Sequence, residues 1–122
     1  MKKIILGTLI GFILLPSIGY AAPRNCECIR YIREVHGVNI RGNAWTIQGN
    51  INPLNMDYGD VVLIGRDHGA LIIGSEGEQW YGNVIVPEYI WIADTNYVRP
   101  CTPSVRKIAW NNPAIRGVYS PA

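Results

Sequence analysis

The chain has 122 residues, of which 48% are hydrophobic, and carries 11 basic and 9 acidic side chains. Without Lys2 and Lys3, which belong to a predicted export signal, nine basic and nine acidic residues are left. A net charge near zero, with no basic cluster, excludes a surface that follows nucleic-acid phosphates. About 100 residues then form one domain with a modest core, too small to include a separate binding module.

The first 21 residues are predicted to be a secretory signal peptide. A basic start precedes an apolar run from Ile4 to Leu15, and small residues follow it. The run is about 12 residues long, shorter than the roughly 20 that span a bilayer as a helix. Cleavage after Ala21 leaves residues 22–122 as a single domain, and cleavage after Ala22 or retention as a membrane anchor are the alternatives. We expect a secreted or periplasmic protein that meets a membrane only through this segment.

Three cysteines follow the predicted signal. In an oxidising compartment an odd number leaves at least one thiol unpaired. Cys26 and Cys28 are too close in sequence to bridge each other easily, so the economical arrangement pairs Cys26 with Cys101 and leaves Cys28 free. Three reduced cysteines are the alternative. No Cys or His spacing matches a zinc site, and no DxDxDG-like run indicates calcium, so we expect no metal and no cofactor.

The hydrophobic pattern predicts one helix followed by a small antiparallel sheet. Apolar residues recur with helical spacing from Cys26 to Val35, where Asn25 can cap the start and Gly37 ends the helix. Residues 38–57 are predicted to form a long loop with a short helical turn. Runs rich in β-branched and aromatic residues then predict strands at 60–64, 70–73, 89–93, 104–110 and 118–119, and residues 83–86 are expected to extend one of them. This order predicts a single α+β domain.

Three places in this layout favour nucleophilic chemistry. Cys28 lies near the start of the helix, where unpaired N–H groups and the helix dipole stabilise a thiolate. His68 begins a strand, from which its imidazole can face that thiol. Asp94 and Asn96 share strand parity, so both are expected to point towards His68. A thiol, a base and a group that orients the base are the minimum for acyl transfer.

Two other residues are weaker candidates for these roles. Cys26 is expected to point about 200° around the helix from the apolar face that Cys28 shares. His36 precedes the helix-ending Gly37 and is expected to be a surface or capping residue.

The sequence also resembles a known family in its local motifs. The segment CIRYIR at 28–33 resembles the nucleophile helix of CHAP domains, the cysteine, histidine-dependent amidohydrolase/peptidases of the papain-like superfamily. Further similar segments occur in the family's order: GNAW at 42–45, GDVVLI at 59–64, HGALI at 68–72, DTNY at 94–97 and IRGVY at 115–119. Together they cover nearly the whole of the chain after the signal.

The chain departs from the family pattern around its third candidate residue. Asp67 and Gly69 flank the histidine where the family has glycine and valine, and Asp94 stands in place of a glutamate. The interval from His68 to Asp94 is also longer than in the family, which predicts an extended hairpin around residues 76–87.

The resemblance implies a papain-like CHAP domain that hydrolyses peptidoglycan as an amidase or endopeptidase. Cys28 would be the nucleophile, His68 the general base and Asp94 the residue that orients the base, with Asn96 in support. Trp45 is expected to contact the substrate beside the cleft. Peptidoglycan would be the only partner of a monomeric enzyme that binds no nucleic acid.

Three alternatives to this enzyme are open. A secreted binding or inhibitory module could keep the CHAP-like fold without turnover. A disulfide-stabilised structural protein would have its thiols quenched or buried. A phage-type lysin could be held at the membrane by an uncleaved signal segment until its release.

Overall fold

The computed structural model describes residues 26–121, so the predicted signal peptide and Asn25 lie outside the described residues. Within them one α-helix precedes seven β-strands, and the predicted α+β class is confirmed. The elements are α1 (Cys28–His36), β1 (Val61–Ile64), β2 (His68–Glu76), β3 (Gln79–Tyr81), β4 (Val84–Val86), β5 (Tyr89–Thr95), β6 (Pro103–Ala109) and β7 (Ile115–Tyr119). A 3₁₀ turn at Pro53–Asn55 lies in the long loop. No helix in this part of the chain is long and apolar enough to cross a membrane.

Both ends of α1 are capped. The Glu27 carboxylate accepts a hydrogen bond from the Arg30 backbone N–H at 2.9 Å, which satisfies one of the N–H groups without a partner inside the helix. The predicted cap at Asn25 was wrong, because the helix begins two residues later than expected. Gly37 ends the helix as predicted, with a φ of 72° that favours glycine. Cys28 is therefore the first residue of the helix.

Five strands form one antiparallel sheet in the order β6-β5-β2-β1-β7. In the centre of the sheet, β2 pairs with β1 so that His68 lies opposite Ile64. On its other side β2 pairs with β5, and β5 pairs with β6 so that Asp94 lies opposite Ser104. Because β2 and β5 are antiparallel neighbours, the first residues of β2 lie beside the last residues of β5 at one end of the strands. This pairing brings His68 and Asp94 together.

Apolar side chains cover both faces of the sheet. On one face Ile29 and Ile32 of α1 pack in a cluster with Val61 and Leu63. The opposite face has a second cluster, formed by Val62, Ile64, Ala70, Ile72, Val86, Ile90, Ile92, Trp110 and Val118. Burial of a branched aliphatic side chain contributes about 1.5–3 kcal/mol, so the first cluster fixes the helix on the sheet.

A hairpin lies between residues 76 and 87, where one was predicted. Strands β3 and β4 form a separate two-stranded sheet, in which Trp80 lies opposite Ile85 and Tyr81 opposite Val84. Gly82 has a φ of 64° in the two-residue turn, a conformation that such hairpins need and glycine adopts without strain. The strand before it, β2, was predicted to end at residue 73 but runs on to Glu76.

Cys26 and Cys101 form a disulfide, and Cys28 is the free cysteine. The economical pairing is confirmed. The bond links residues 75 positions apart, for which loop-closure entropy gives a stabilisation of about 4.5 kcal/mol. It ties the segment just before α1 to the loop between β5 and β6.

Candidate active site

The Cys28 side chain lies between α1 and the sheet and is only 8% exposed. Burial raises the pKa of this thiol and the nearby Glu27 charge adds to the rise, although hydrogen bonds from the backbone N–H groups of Gly69 and Ile29 partly oppose it. The prediction that the helix start stabilises a thiolate was therefore wrong, because desolvation outweighs the local N–H groups. At rest Cys28 is a neutral thiol that needs a base to become a nucleophile.

Gly69 allows the helix to approach β2 closely. A Cβ at this position would lie 2.9 Å from Cδ1 at the end of the Ile29 side chain, so this side chain would have to shift. The same residue supplies the backbone N–H that bonds to the Cys28 thiol. Because Gly69 has no side chain, Ile29 of α1 packs directly on the backbone of β2.

His68 and Asp94 form a buried pair. The distance between His68 Nε2 and Asp94 Oδ2 is 2.8 Å, and the Asp94 side chain is fully buried. The same Oδ2 accepts hydrogen bonds from Arg106 Nε at 3.2 Å and Nη2 at 2.8 Å, and Oδ1 accepts one from Ser104 Oγ at 2.7 Å. Both oxygens of the carboxylate therefore accept hydrogen bonds from neighbouring side chains.

These bonds determine the charge of Asp94. Burial raises the pKa of its carboxyl group, but the hydrogen bonds from His68, Arg106 and Ser104 outweigh burial and hold the pKa below its ordinary value. An ionised carboxylate only accepts hydrogen bonds, so Nε2 of His68 is the protonated nitrogen. In the neutral imidazole Nδ1 is then left as the acceptor, which is the state that a general base requires.

Cys28 and His68 line the same cavity, which has a volume of about 260 Å³. The other lining residues are Ile64, Gly65, Asp67, Asn96, Tyr97 and Ala114. The ring of Tyr97 packs on the imidazole with 4.5 Å between centroids and limits its rotation. Within residues 26–121 no hydrogen bond joins the Cys28 thiol to the imidazole. Hydrogen bonds between a nucleophile and its general base are often long without substrate and shorten when substrate binds.

Asn96 lies at the cavity, but its amide holds the disulfide loop instead of facing His68. Its Nδ2 donates to the Cys26 carbonyl and its Oδ1 accepts from the Cys101 N–H, each at 2.9 Å. The expectation from strand parity was wrong for this residue, because β5 ends at Thr95 and Asn96 has a φ of 63°. Asn96 thus ties both half-cystines to the rim of the cavity that Cys28 and His68 line.

Trp45 lines a second cavity of about 180 Å³ that continues from the first, since both include Cys28, Asp67 and Asn96. The two cavities together form a groove. The Trp45 side chain is 61% exposed, so a ligand in this groove can reach it. The other residues that complete its lining are Cys26, Glu27 and Ala44. The structure therefore brings Trp45 to the groove that contains the thiol, where the sequence predicted a substrate contact.

Arg116 fixes the turn in which Trp45 lies. Its guanidinium donates hydrogen bonds to three backbone carbonyls, those of Gly65 at 2.7 Å, Ile47 at 3.2 Å and Ala44. One side chain of β7 thus connects the Trp45 turn to the turn between β1 and β2. The position of Trp45 relative to the cavity depends on this residue.

Sequence reasoning missed four residues of the site: Ser104, Arg106, Tyr97 and Arg116. Ser104 and Arg106 alternate along a strand that the sequence predicted, and the pairing of β6 with β5 places both beside Asp94. That alternation was the available signal. Arg106 also lies 4.3 Å from the Tyr97 ring centroid, so it contacts both Asp94 and Tyr97, the two side chains that hold the His68 imidazole.

The remaining candidates lie elsewhere. His36 contacts the Tyr31 hydroxyl at 3.2 Å and lines neither cavity of the groove. In residues 26–121 no group of three or more His, Cys, Asp or Glu side chains could hold a metal ion. Comparisons with models of protein families, with curated proteins and with solved structures find no match to this chain.

Proposed function

We propose that the chain is an exported cysteine hydrolase with a papain-like fold of the CHAP type that cleaves amide bonds in peptidoglycan. One observation supports this most strongly: a free thiol at the start of a helix shares a cavity with a histidine that is fixed by a buried carboxylate. The Cys26–Cys101 disulfide agrees with an oxidising compartment outside the cytoplasm. The choice of peptidoglycan comes from the motif resemblance.

In the first half of the reaction, Nδ1 of His68 takes the proton of Cys28 and the thiolate sulfur attacks the amide carbonyl. The oxyanion accepts a hydrogen bond from a backbone N–H at the start of α1, where the N–H groups have no partner in the helix. The ionised Asp94 stabilises the imidazolium. His68 then protonates the leaving nitrogen, the C–N bond breaks, and a thioester to Cys28 is left.

The second half releases the product. His68 accepts a proton from water, which attacks the thioester carbonyl. The C–S bond breaks, the proton returns to the Cys28 sulfur, and a free carboxylic acid leaves the groove. The raised pKa of Cys28 fits this order, because the thiol is deprotonated at the moment of attack and not before it.

Digestion of purified sacculi tests the proposal. Mass spectrometry of the released fragments should identify new amino and carboxyl termini in the wild-type reaction, and their chemistry tells whether the muramyl–L-alanine amide or a peptide bond was cut. Cys28→Ala and His68→Ala should release none. His36→Ala is the matched control, since this histidine lies outside the groove, and it should digest like the wild type. No new termini in any reaction would refute the proposal.

A further inference from the structure

A third cavity, of about 230 Å³, adjoins the catalytic cavity across one turn of the chain. Its lining residues are Pro53, Met56, Tyr81, Trp110, Asn111, Asn112, Pro113 and Ile115. Ala114 lines the catalytic cavity, whereas its neighbours Pro113 and Ile115 line this one. Because consecutive Cα atoms are about 3.8 Å apart, the two cavities are separated by little more than one backbone segment.

An exposed aromatic ring forms one wall of the cavity. Tyr81 comes from the β3–β4 hairpin and is 50% exposed, yet its ring is held by an edge contact with the buried Trp110. The centroids are 5.1 Å apart and the planes meet at 67°. A ring fixed in this way offers a rigid apolar surface to a ligand, with little conformational entropy to lose on binding.

Two asparagine side chains supply polar groups to the same cavity. Within residues 26–121 the side chain of Asn111 has no hydrogen-bond partner, and that of Asn112 uses only its Oδ1, which accepts from the Ala114 N–H at 2.9 Å. Donors of both residues are thus available to a ligand. All the lining residues are uncharged, so the cavity has no counter-charge for a phosphate, carboxylate or ammonium group.

We propose that this cavity binds one N-acetylated sugar ring of a glycan strand while the attached peptide enters the catalytic cavity. A pyranose has an apolar C–H face that packs on an aromatic ring, and hydroxyl and acetamido groups that bond to amides. The volume is below the range of about 300–1,000 Å³ of pockets for drug-sized ligands, which suits a single ring. The choice of a wall glycan rests on the proposed function.

An NMR titration with the tetramer of β-1,4-linked N-acetylglucosamine tests this site. The protein is the Cys28→Ala variant, so that no turnover disturbs the equilibrium, and maltotetraose is the control ligand without acetamido groups. We expect the tetramer to shift the side-chain amide signals of Asn111 and Asn112, and maltotetraose to bind more weakly. Absence of binding, or shifts confined to other residues, would overturn the inference.

Two neighbouring aromatic residues supply matched variants in the same background. Tyr81→Ala should weaken tetramer binding about tenfold, the loss expected for one aromatic contact. Tyr81→Phe should retain binding, which shows that the hairpin still folds around the ring. Trp80→Ala should also retain it, because Trp80 is more exposed but lies on the other face of β3 and outside this cavity. Equal weakening by Tyr81→Ala and Trp80→Ala would contradict the site.

The two proposals fail in different ways. If the wild-type protein releases new termini from sacculi but the tetramer does not bind, the sugar site is refuted and the hydrolase stands. If the tetramer binds through Tyr81 but no termini are released, the hydrolase is refuted, and the cavity is a sugar site of a module without turnover.

Discussion

Substitution of Asp94 by asparagine removes one negative charge from the centre of the site while it keeps the shape of the side chain. The carboxylate accepts four hydrogen bonds from His68, Arg106 and Ser104. An asparagine can preserve much of this geometry if its carbonyl oxygen faces His68 and Arg106 and its amino group donates to the Ser104 hydroxyl, which accepts as well as donates. The substitution therefore tests the charge more than the position of the side chain.

The magnitudes follow from these contacts. Hydrogen bonds to charged groups contribute about 1.5–3 kcal/mol and neutral ones about 1 kcal/mol. In Asp94→Asn the bonds with His68 and Ser104 become neutral, whereas those with Arg106 keep a charged donor. A loss of about 0.5–2 kcal/mol at each of the two neutral bonds should lower the free energy of unfolding by about 1–4 kcal/mol. In the proposed reaction the rate depends on stabilisation of the His68 imidazolium. A general base contributes about 10²–10⁴-fold, and we expect Asp94→Asn to lower kcat by about 10²–10³-fold with a smaller effect on KM.

The pH dependence of stability gives a second readout. The pKa of Asp94 is lower in the folded protein than its ordinary value of 3.8, so the ionised group stabilises the fold above that value. This stabilisation is lost as the pH falls through the folded pKa. In denaturant titrations the wild type should have a higher free energy of unfolding than Asp94→Asn. This difference should be largest at neutral pH and become smaller in strong acid.

Glu76→Gln is the matched control for Asp94→Asn. It makes the same change from carboxylate to amide in the same sheet, but Glu76 is exposed and pairs with Lys107 away from the cavities. We expect little effect on stability or turnover, as for other exposed ion pairs. The reasoning would be refuted if Asp94→Asn kept the wild-type kcat, or if its stability deficit were the same at every pH.

Three further predictions follow from the groove. Gly69→Val places methyl groups against Ile29. It should lower the free energy of unfolding by about 1–3 kcal/mol in denaturant titrations and slow the digestion of sacculi. Wild-type stability of this variant would contradict the close approach of Ile29 to the backbone of β2. Cys101→Ala should lower the free energy of unfolding by about 4.5 kcal/mol and reduce Tm, and an unchanged Tm would contradict the disulfide. Because burial raises the pKa of Cys28, iodoacetamide should alkylate this thiol slowly at mildly acidic pH and faster as the pH rises. A fast alkylation rate that does not change with pH below neutral would instead indicate a resting thiolate and contradict this prediction.

Much of the layout could be predicted from periodicity. The helical spacing after Cys26 and the β-rich runs predicted the helix, and all the strands except β3 and β4, to within a few residues. Residues 83–86 were expected to extend another strand but form β4 of the separate hairpin. The buried strand β1 reads as a continuous apolar run, because Val61 and Val62 face different clusters and both faces are covered. His68 and Asp94 could be linked because each lies at an end of a predicted strand.

Other parts of the site depend on tertiary structure. The pKa of Cys28 depends on how deeply the packing of α1 against β2 buries the thiol, and no local sequence pattern shows this depth. The role of Asn96 depends on a backbone turn to positive φ, so strand parity beyond Thr95 was misleading. Arg116 bonds to three carbonyls that lie at least 51 residues from it in sequence, and only the folded chain shows their proximity.

The central claim is that Cys28 is the nucleophile of an amide hydrolase, and a rate comparison tests it most directly. New amino termini released from sacculi are counted over time for the wild type and Cys28→Ala, after circular dichroism confirms equal folded concentrations. We predict steady release by the wild type and none above background for Cys28→Ala, because the remaining groups cannot form the thioester. Release at equal rates by the two proteins, or by neither, would contradict the claim.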